Sequence, residues 1–161
     1  MGSNTLKVAK EYQRLLKEKS IDSVLLSLEG LNLLTRDAAF EKIENEMIIP
    51  SNNYIFISPE YNGSFPGVLK MLFDTGKTHA LWWHKKAMLT GVSTGRAGNL
   101  RGMDHLADVL NHVKVMVHHN KLPISSVDKL MDEDGHFTDE NTLKAINQQL
   151  DEFIKWTGGG N

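Results

Sequence analysis

The sequence predicts a doubly wound, three-layer α/β/α domain built on a parallel sheet, and three observations carry that reading. Short apolar segments rich in β-branched and aromatic residues alternate along the chain with longer segments whose apolar residues recur at helical spacing. Strands that alternate with helices in this way pair in parallel and are covered on both faces. The third observation is size: 161 residues, 40% of them hydrophobic, suffice for one packed core and argue against a second domain.

The elements follow in order. Residues 5–19 place Leu6, Ala9, Tyr12, Leu15 and Leu16 on one helical face, with Ser3, Asn4 or Thr5 available as N-cap. Residues 23–28 read as a short strand, and 36–46 as a helix behind Thr35. Tyr54-Ile55-Phe56-Ile57-Ser58 runs straight into Pro59, the pattern of a buried strand that stops abruptly. Pro66 suits the first turn of the next helix, whose apolar face is Val68, Leu69, Leu72 and Phe73. Ala87 to Val92 is a second clear strand, followed by a glycine-rich loop and a helix carrying Leu100, Met103, Leu106, Ala107 and Leu110. Residues 113–117 predict a further strand, 132–135 a turn, and Thr138 the cap of a last helix with Leu143, Ile146, Leu150, Phe153 and Ile154. The domain is thus expected over residues 1–156, with 157–161 a disordered glycine-rich tail.

Composition narrows the function. A net charge of −2 offers no broad basic field for nucleic acid, so an anionic ligand must be held locally. The chain has no cysteine, which excludes a disulfide framework and a thiolate nucleophile and fits a reducing, cytoplasmic setting. No apolar run approaches the roughly 20 residues of a membrane span, so no membrane partner is expected.

In an open parallel sheet, ligands settle beyond the carboxyl ends of the strands, which directs attention to the loops that follow them. Two are distinctive: Ser58-Pro59-Glu60-Tyr61-Asn62-Gly63-Ser64-Phe65-Pro66-Gly67 and Gly91-Val92-Ser93-Thr94-Gly95-Arg96-Ala97-Gly98. Glycines there let backbone approach a ligand, and Arg96 offers a planar cation. Gly2-Ser3-Asn4-Thr5 opens a helix, where free N–H groups and small polar side chains favour an anion. Taken singly, each has a plainer reading: Asn62-Gly63 as a turn, the glycines as loop breakers, Ser3 to Thr5 as a cap. Their order along the chain would nonetheless bring all three to one edge of the sheet. Neither Gly-x-x-x-x-Gly-Lys-Ser/Thr nor Gly-x-Gly-x-x-Gly occurs, which disfavours nucleoside triphosphate hydrolysis and the usual dinucleotide fingerprint.

Other constellations are weaker. His79, His84, His118 and His119 supply imidazoles, but nothing in their spacing makes four ligands converge, and no metal site is assigned. Trp82 and Trp83 read as packing at the mouth of a strand rather than a stacking platform. The Asp132 to Gly135 turn lacks the later oxygen ligands of a calcium loop, and no Gly-x-Ser-x-Gly elbow marks a nucleophile.

The stretch from Ser58 to Lys70 resembles the signature loop of the NADPH-dependent FMN reductase family, flavodoxin-like proteins that include quinone and azo reductases. The Gly91 to Gly98 loop and the Asp132-Glu133-Asp134-Gly135 turn match the family pattern as well. That resemblance implies a flavodoxin-like fold and an NAD(P)H-dependent oxidoreductase that reduces flavin or a quinone-like acceptor. It further implies FMN wrapped by Pro59, Glu60, Tyr61, Asn62 and Gly63, lined on its other edge by Ser93, Gly95 and Arg96, and held at its phosphate by Ser3, Asn4 and Thr5. Family members are commonly homodimers, and no catalytic side chain in the acid–base sense is expected. The sequence departs from the pattern at its start: Met1 falls inside the phosphate loop, and the usual first strand and the loop's first half, with its arginine, are missing. The family's strand order is 2-1-3-4-5, so that strand would lie between residues 23–28 and 54–58. The expectation is therefore a weakened or lost FMN site, and a sheet completed by direct pairing of those flanking strands, a swapped segment or a re-docked element. The competing reading is a truncated or engineered scaffold that keeps the fold, has lost FMN binding and has no enzymatic activity.

Overall fold

The computed structural model describes residues 3–158. Period-two alternation in its two full strands sorts the core into the faces of one sheet. Strand β1 (Asn53–Pro59) sends Tyr54 and Phe56 to one side and Ile55 and Ile57 to the other; β2 (Lys86–Val92) sends Ala87 and Leu89 one way and Met88 and Val92 the other. β1 and β2 pair in parallel from Asn53 opposite Lys86 to Pro59 opposite Val92. On its far side β2 pairs, also in parallel, with two short strands, β3 (Met116–Val117) at its beginning and β4 (Leu122–Ile124) at its end. β3 and β4 are two pieces of one edge, interrupted at 118–121.

Helices cover both faces, giving the three-layer α/β/α arrangement of the flavodoxin-like class. Helix α1 (Asn4–Glu18) and the last helix (Glu140–Thr157) bury Val8, Tyr12, Leu15, Leu16, Ile146, Leu150 and Phe153 against Met88, Val92 and Ile124. The opposite face is covered by α2 (Ala38–Ile43), α3 (Gly67–Thr75), α4 (Thr78–Trp82) and α5 (Leu100–His112), the last helix being α6. Trp82 sits fully buried in that layer, tilted against Phe73 at 4.7 Å and Tyr54 at 5.5 Å, so it is core as the sequence suggested. A buried polar network bridges the other layer: Thr90 donates to the Tyr12 hydroxyl (3.0 Å), which donates to Gln149 Oε1 (2.9 Å). No described helix is long and apolar enough to cross a membrane.

Four expectations need correction. Residues 23–28 form no strand; in the 2-1-3-4-5 order they would ladder on a neighbour standing between them and β1, and no described strand stands there. Their backbone has nothing to pair with, so they run irregularly while Leu26 and Leu28 pack against the core. Neither direct pairing of residues 23–28 with β1 nor a re-docked element of this chain completes the sheet among the described residues, and the outer edge of β1 has no described partner. Second, the expected strand at 113–117 begins only at Met116, because Val113 ends α5, Lys114 turns left-handed (φ 61°) and Val115 N–H closes back on Leu110 O at 2.9 Å. Third, α2 is shorter than 36–46: Asp37, not Thr35, caps it through Phe40 N–H, and it passes into a π-helical turn, Glu44–Ile48. Fourth, Asp139 caps α6 through Thr142 N–H (2.7 Å), since Thr138 is engaged with Leu130 O. Of the glycine tail expected at 157–161, Thr157 closes α6 and Gly158 is its left-handed cap (φ 86°). Residues 159–161 lie outside the described residues.

Candidate functional site

All strands run in one direction, so Pro59, Val92 and Ile124 end at the same edge of the sheet, and the loops beyond them face one another. The N-terminus of α1 reaches that edge too. Together they form a crevice of about 560 Å³, within the range of small-molecule sites. Every residue singled out by sequence lines it: Ser3, Asn4 and Thr5 from α1, Pro59, Glu60, Tyr61, Asn62 and Gly63 after β1, and Ser93, Gly95 and Arg96 after β2. Val92, Thr94 and Ala97, in the second distinctive loop but given no role of their own, complete the lining together with Val127, which was not foreseen. Val127 comes from a short 3₁₀ turn after β4, which no sequence motif marks.

Each wall has a local cause. After β1 the chain makes a two-residue hairpin, with Tyr61 N–H on Ser64 O (2.8 Å) and Ser64 N–H on Tyr61 O (3.1 Å). Asn62 (φ 52°) and Gly63 (φ 78°) occupy its left-handed positions, the chemistry of a type I′ turn. The Ser64 hydroxyl and His105 Nδ1 meet at 2.9 Å, tying the hairpin to α5. After β2, Gly98 N–H donates to Ser93 Oγ (2.9 Å), and Ser93 Oγ donates to Gly95 O (2.9 Å), closing the loop on itself. Gly91 is there because no Cβ fits: one would stand 2.1 Å from Gly98 O. Gly95, in contrast, has open space where a Cβ would stand, while its carbonyl accepts from Ser93 Oγ (2.9 Å) and Ser126 N–H (3.0 Å).

The two loops are locked together by Asn99. It is fully buried, left-handed (φ 60°), donates through Nδ2 to Ser58 O and Pro59 O (both 3.0 Å), and donates its N–H to Glu60 Oε2 at 3.1 Å. Neither Asn99 nor Ser58 was assigned a role by sequence, since a single Asn at a helix start reads only as a cap.

Polarity is divided along the crevice. At one end the α1 N-cap, Ser3, makes no side-chain cap bond, so the N–H groups of Asn4, Thr5 and Leu6 have no intrahelical acceptor and carry the positive end of a 15-residue helix. Arg96 is exposed and pairs with no carboxylate among the described residues. Val92, Ala97, Val127 and Tyr61 provide apolar surface between. Such a donor set suits a flat ring that carries an anionic group at one end. His79 and Trp83 (4.2 Å between rings), His84 and the buried Trp82 lie at the amino end of β2, away from the crevice.

The chain is similar in sequence and in fold to known proteins. The profile of the NADPH-dependent FMN reductase family matches residues 1–128. An NAD(P)H-dependent FMN reductase of Pseudomonas aeruginosa is 32% identical over 142 residues, 82% of this chain and 76% of the relative. A 2-hydroxy-1,4-benzoquinone reductase of a Burkholderia species is 26% identical over 140 residues, 81% of this chain and 76% of the relative. Among solved structures, a flavoenzyme NAD(P)H:(acceptor) oxidoreductase of Paracoccus denitrificans superposes with a TM-score of 0.79 at 27% identity, covering 96% of this chain and 89% of that one.

Proposed function

This chain belongs to the NADPH-dependent FMN reductase family, and from that premise we propose that it binds FMN in the crevice and uses NAD(P)H to reduce a flavin or quinone-like acceptor. The observation that carries the proposal is the convergence of three separate segments on one crevice with an anion-binding end and an apolar middle. The fit is chemical as well as spatial: an uncapped helix terminus beside Ser3, Asn4 and Thr5 for a phosphate, and Gly95, with no side chain and no neighbour where one would stand, for close approach of a ligand.

When bound, FMN supplies hydride acceptance and onward electron transfer. The chain's part is to bind, orient and shield. Ser3, Asn4 and Thr5 take the anionic group, and no acid–base side chain is assigned. The rigid hairpin at Asn62 and Gly63, fixed through Asn99 and Ser64, presents Pro59 to Gly63 as one wall. Ser93, Gly95 and Arg96 form the other, with Arg96 bringing a guanidinium to the crevice. Val92, Ala97 and Val127 exclude water from the ring's position. A homodimer belongs to this reading through the family resemblance. A cytoplasmic location belongs to the same reading.

Titrating the purified chain with FMN, followed by flavin fluorescence and size measurement, tests the proposal. Saturable quenching, together with quinone-dependent NAD(P)H oxidation, supports it. A colourless chain that never quenches FMN supports the cofactor-free scaffold instead.

A further inference from the structure

We propose that His118, His119 and Glu152 form a binding site for a borderline divalent cation of the zinc type, separate from the crevice. One potential ligand atom from each of these residues lies within 4.8 Å of the others. The two histidines occupy the interruption between β3 and β4, and Glu152 projects from α6, so a bound ion would join the edge of the sheet to the last helix. His118 N–H is bonded to Ala87 O (2.7 Å), five residues before Val92 on β2. At about 3.3 Å per residue, that places the site about 16 Å from the crevice edge of the strand.

The cluster is built rather than incidental. His118 is 4% exposed, with its ring centroid 5.3 Å from that of Trp156 and edge-on to Phe153 at 6.0 Å, so one ligand is fixed by packing. His119 is exposed and lies tilted beside it at 4.4 Å between ring centroids, free to turn. Both oxygens of Glu152 are held: Asn120 Nδ2 donates to Oε2 (2.8 Å) and Gln148 Nε2 to Oε1 (2.9 Å). Asn120 is held in turn, its carbonyl accepting from the fully buried Gln149, whose same amide donates to Leu89 O (both 2.9 Å). Amides that orient a ligating carboxylate are the usual supporting contacts of metal sites. They leave each carboxylate oxygen a lone pair. No Lys or Arg among the described residues is paired with Glu152, so its charge is not spent on an ion pair.

Donor chemistry selects the ion. Two imidazoles and one carboxylate suit Zn²⁺, Co²⁺ or Ni²⁺, whereas Mg²⁺ and Ca²⁺ prefer all-oxygen sets. Tetrahedral ligands at about 2.0–2.2 Å from zinc stand about 3.3–3.5 Å apart. Closing the cluster therefore needs a movement of about an ångström, which His119 and Glu152 can make around a stationary His118. Three protein ligands leave a fourth position for water. Binding at a site that joins two elements stabilises the folded chain by mass action.

Tag-free full-length protein, stripped with chelator, is titrated with Zn²⁺ by calorimetry, with Co²⁺ by visible absorption, and melted with and without each ion. The expected result is one tight equivalent of Zn²⁺, a raised Tm, and Co²⁺ bands of four- or five-coordinate intensity. His119→Ala and Glu152→Gln should each weaken Zn²⁺ by at least about tenfold and remove the bands. Both should melt like the parent in chelator, since neither side chain is buried core. His112→Ala, an exposed histidine elsewhere, should change nothing, and Mg²⁺ should not compete. Absence of a tight equivalent in the parent, or unchanged affinity in both ligand variants, would overturn the proposal. FMN titration of the same variants reports on the crevice independently and should be unaffected.

Discussion

The side-chain amide of Asn99 donates to the carbonyl of Pro59 at 3.0 Å, and this bond joins the loops that follow β1 and β2. A second bond to Ser58 O and a third, donated by Asn99 N–H to Glu60 Oε2, make the joint three-pronged. The crevice thus depends on a residue that does not line it.

Asn99→Gly keeps the left-handed backbone accessible while deleting the amide, and so isolates the tie. Losing bonds to two carbonyls in this buried setting should cost about 2 kcal/mol, measured as a lower urea midpoint with an unchanged m-value. FMN affinity should fall more steeply than in a surface control of equal stability. Equal affinity would mean the loops hold their places without Asn99.

Gly91→Ala tests the closeness of the second loop. Its Cβ would lie 2.1 Å from Gly98 O and 3.1 Å from Met103 Cε, and the backbone oxygen cannot rotate away. Overpacking of this kind costs about 1–3 kcal/mol. Thermal melting should register the loss, and displacement of the Gly98 turn should impair flavin binding. A variant with parental Tm would show that the strand end has slack.

The placement of the crevice was legible in the sequence because parallel strands bring all their following loops to one edge, wherever the exact strand ends fall. Asn62-Gly63 declared its turn for a local reason, the left-handed tolerance of those two residues. What stayed hidden depended on neighbours. Residues 23–28 have strand-like composition, but a strand exists only opposite a partner. Asn99 looks like any helix-start asparagine until Ser58 and Pro59 stand beside it. His118, His119 and Glu152 belong to separate elements, and their approach requires the break between β3 and β4 that the apolar run at 113–117 concealed.

His136 and Glu11 give a pH-dependent contribution to stability. His136 Nδ1 lies 2.9 Å from Glu11 Oε2, and that hydrogen bond, with the carboxylate's charge, raises the histidine above its ordinary value. For Glu11, burial alone would raise the carboxyl, but bonds from Arg14 and His136 outweigh it and hold it below the usual range. The raised histidine contributes fully below its unfolded value of about 6.5 and loses that contribution as pH climbs through the folded value. The depressed carboxylate contributes above its unfolded value of about 4.3 and is lost on acidification. Their joint contribution is therefore greatest between those limits. His136→Ala should destabilise the chain more at pH 5.5 than at pH 8.5 in parallel urea titrations, and a pH-independent difference would refute the coupling.

Arg96→Ala separates ligand binding from folding. Arg96 is exposed and pairs with no acidic group among the described residues, so its removal should leave stability within about 0.5 kcal/mol. If Arg96 faces an anionic or aromatic portion of the bound molecules, FMN or NAD(P)H affinity should drop by about tenfold, the equivalent of one charge-assisted contact. Arg96→Lys keeps the charge but loses the planar fork, and should recover only part of the loss where stacking or bidentate bonding is at work. Full recovery with lysine would assign the residue to simple charge attraction, sensitive to salt. Unchanged affinity in both variants would remove the second loop's cation from the site while leaving the α1 terminus as the anion-binding end.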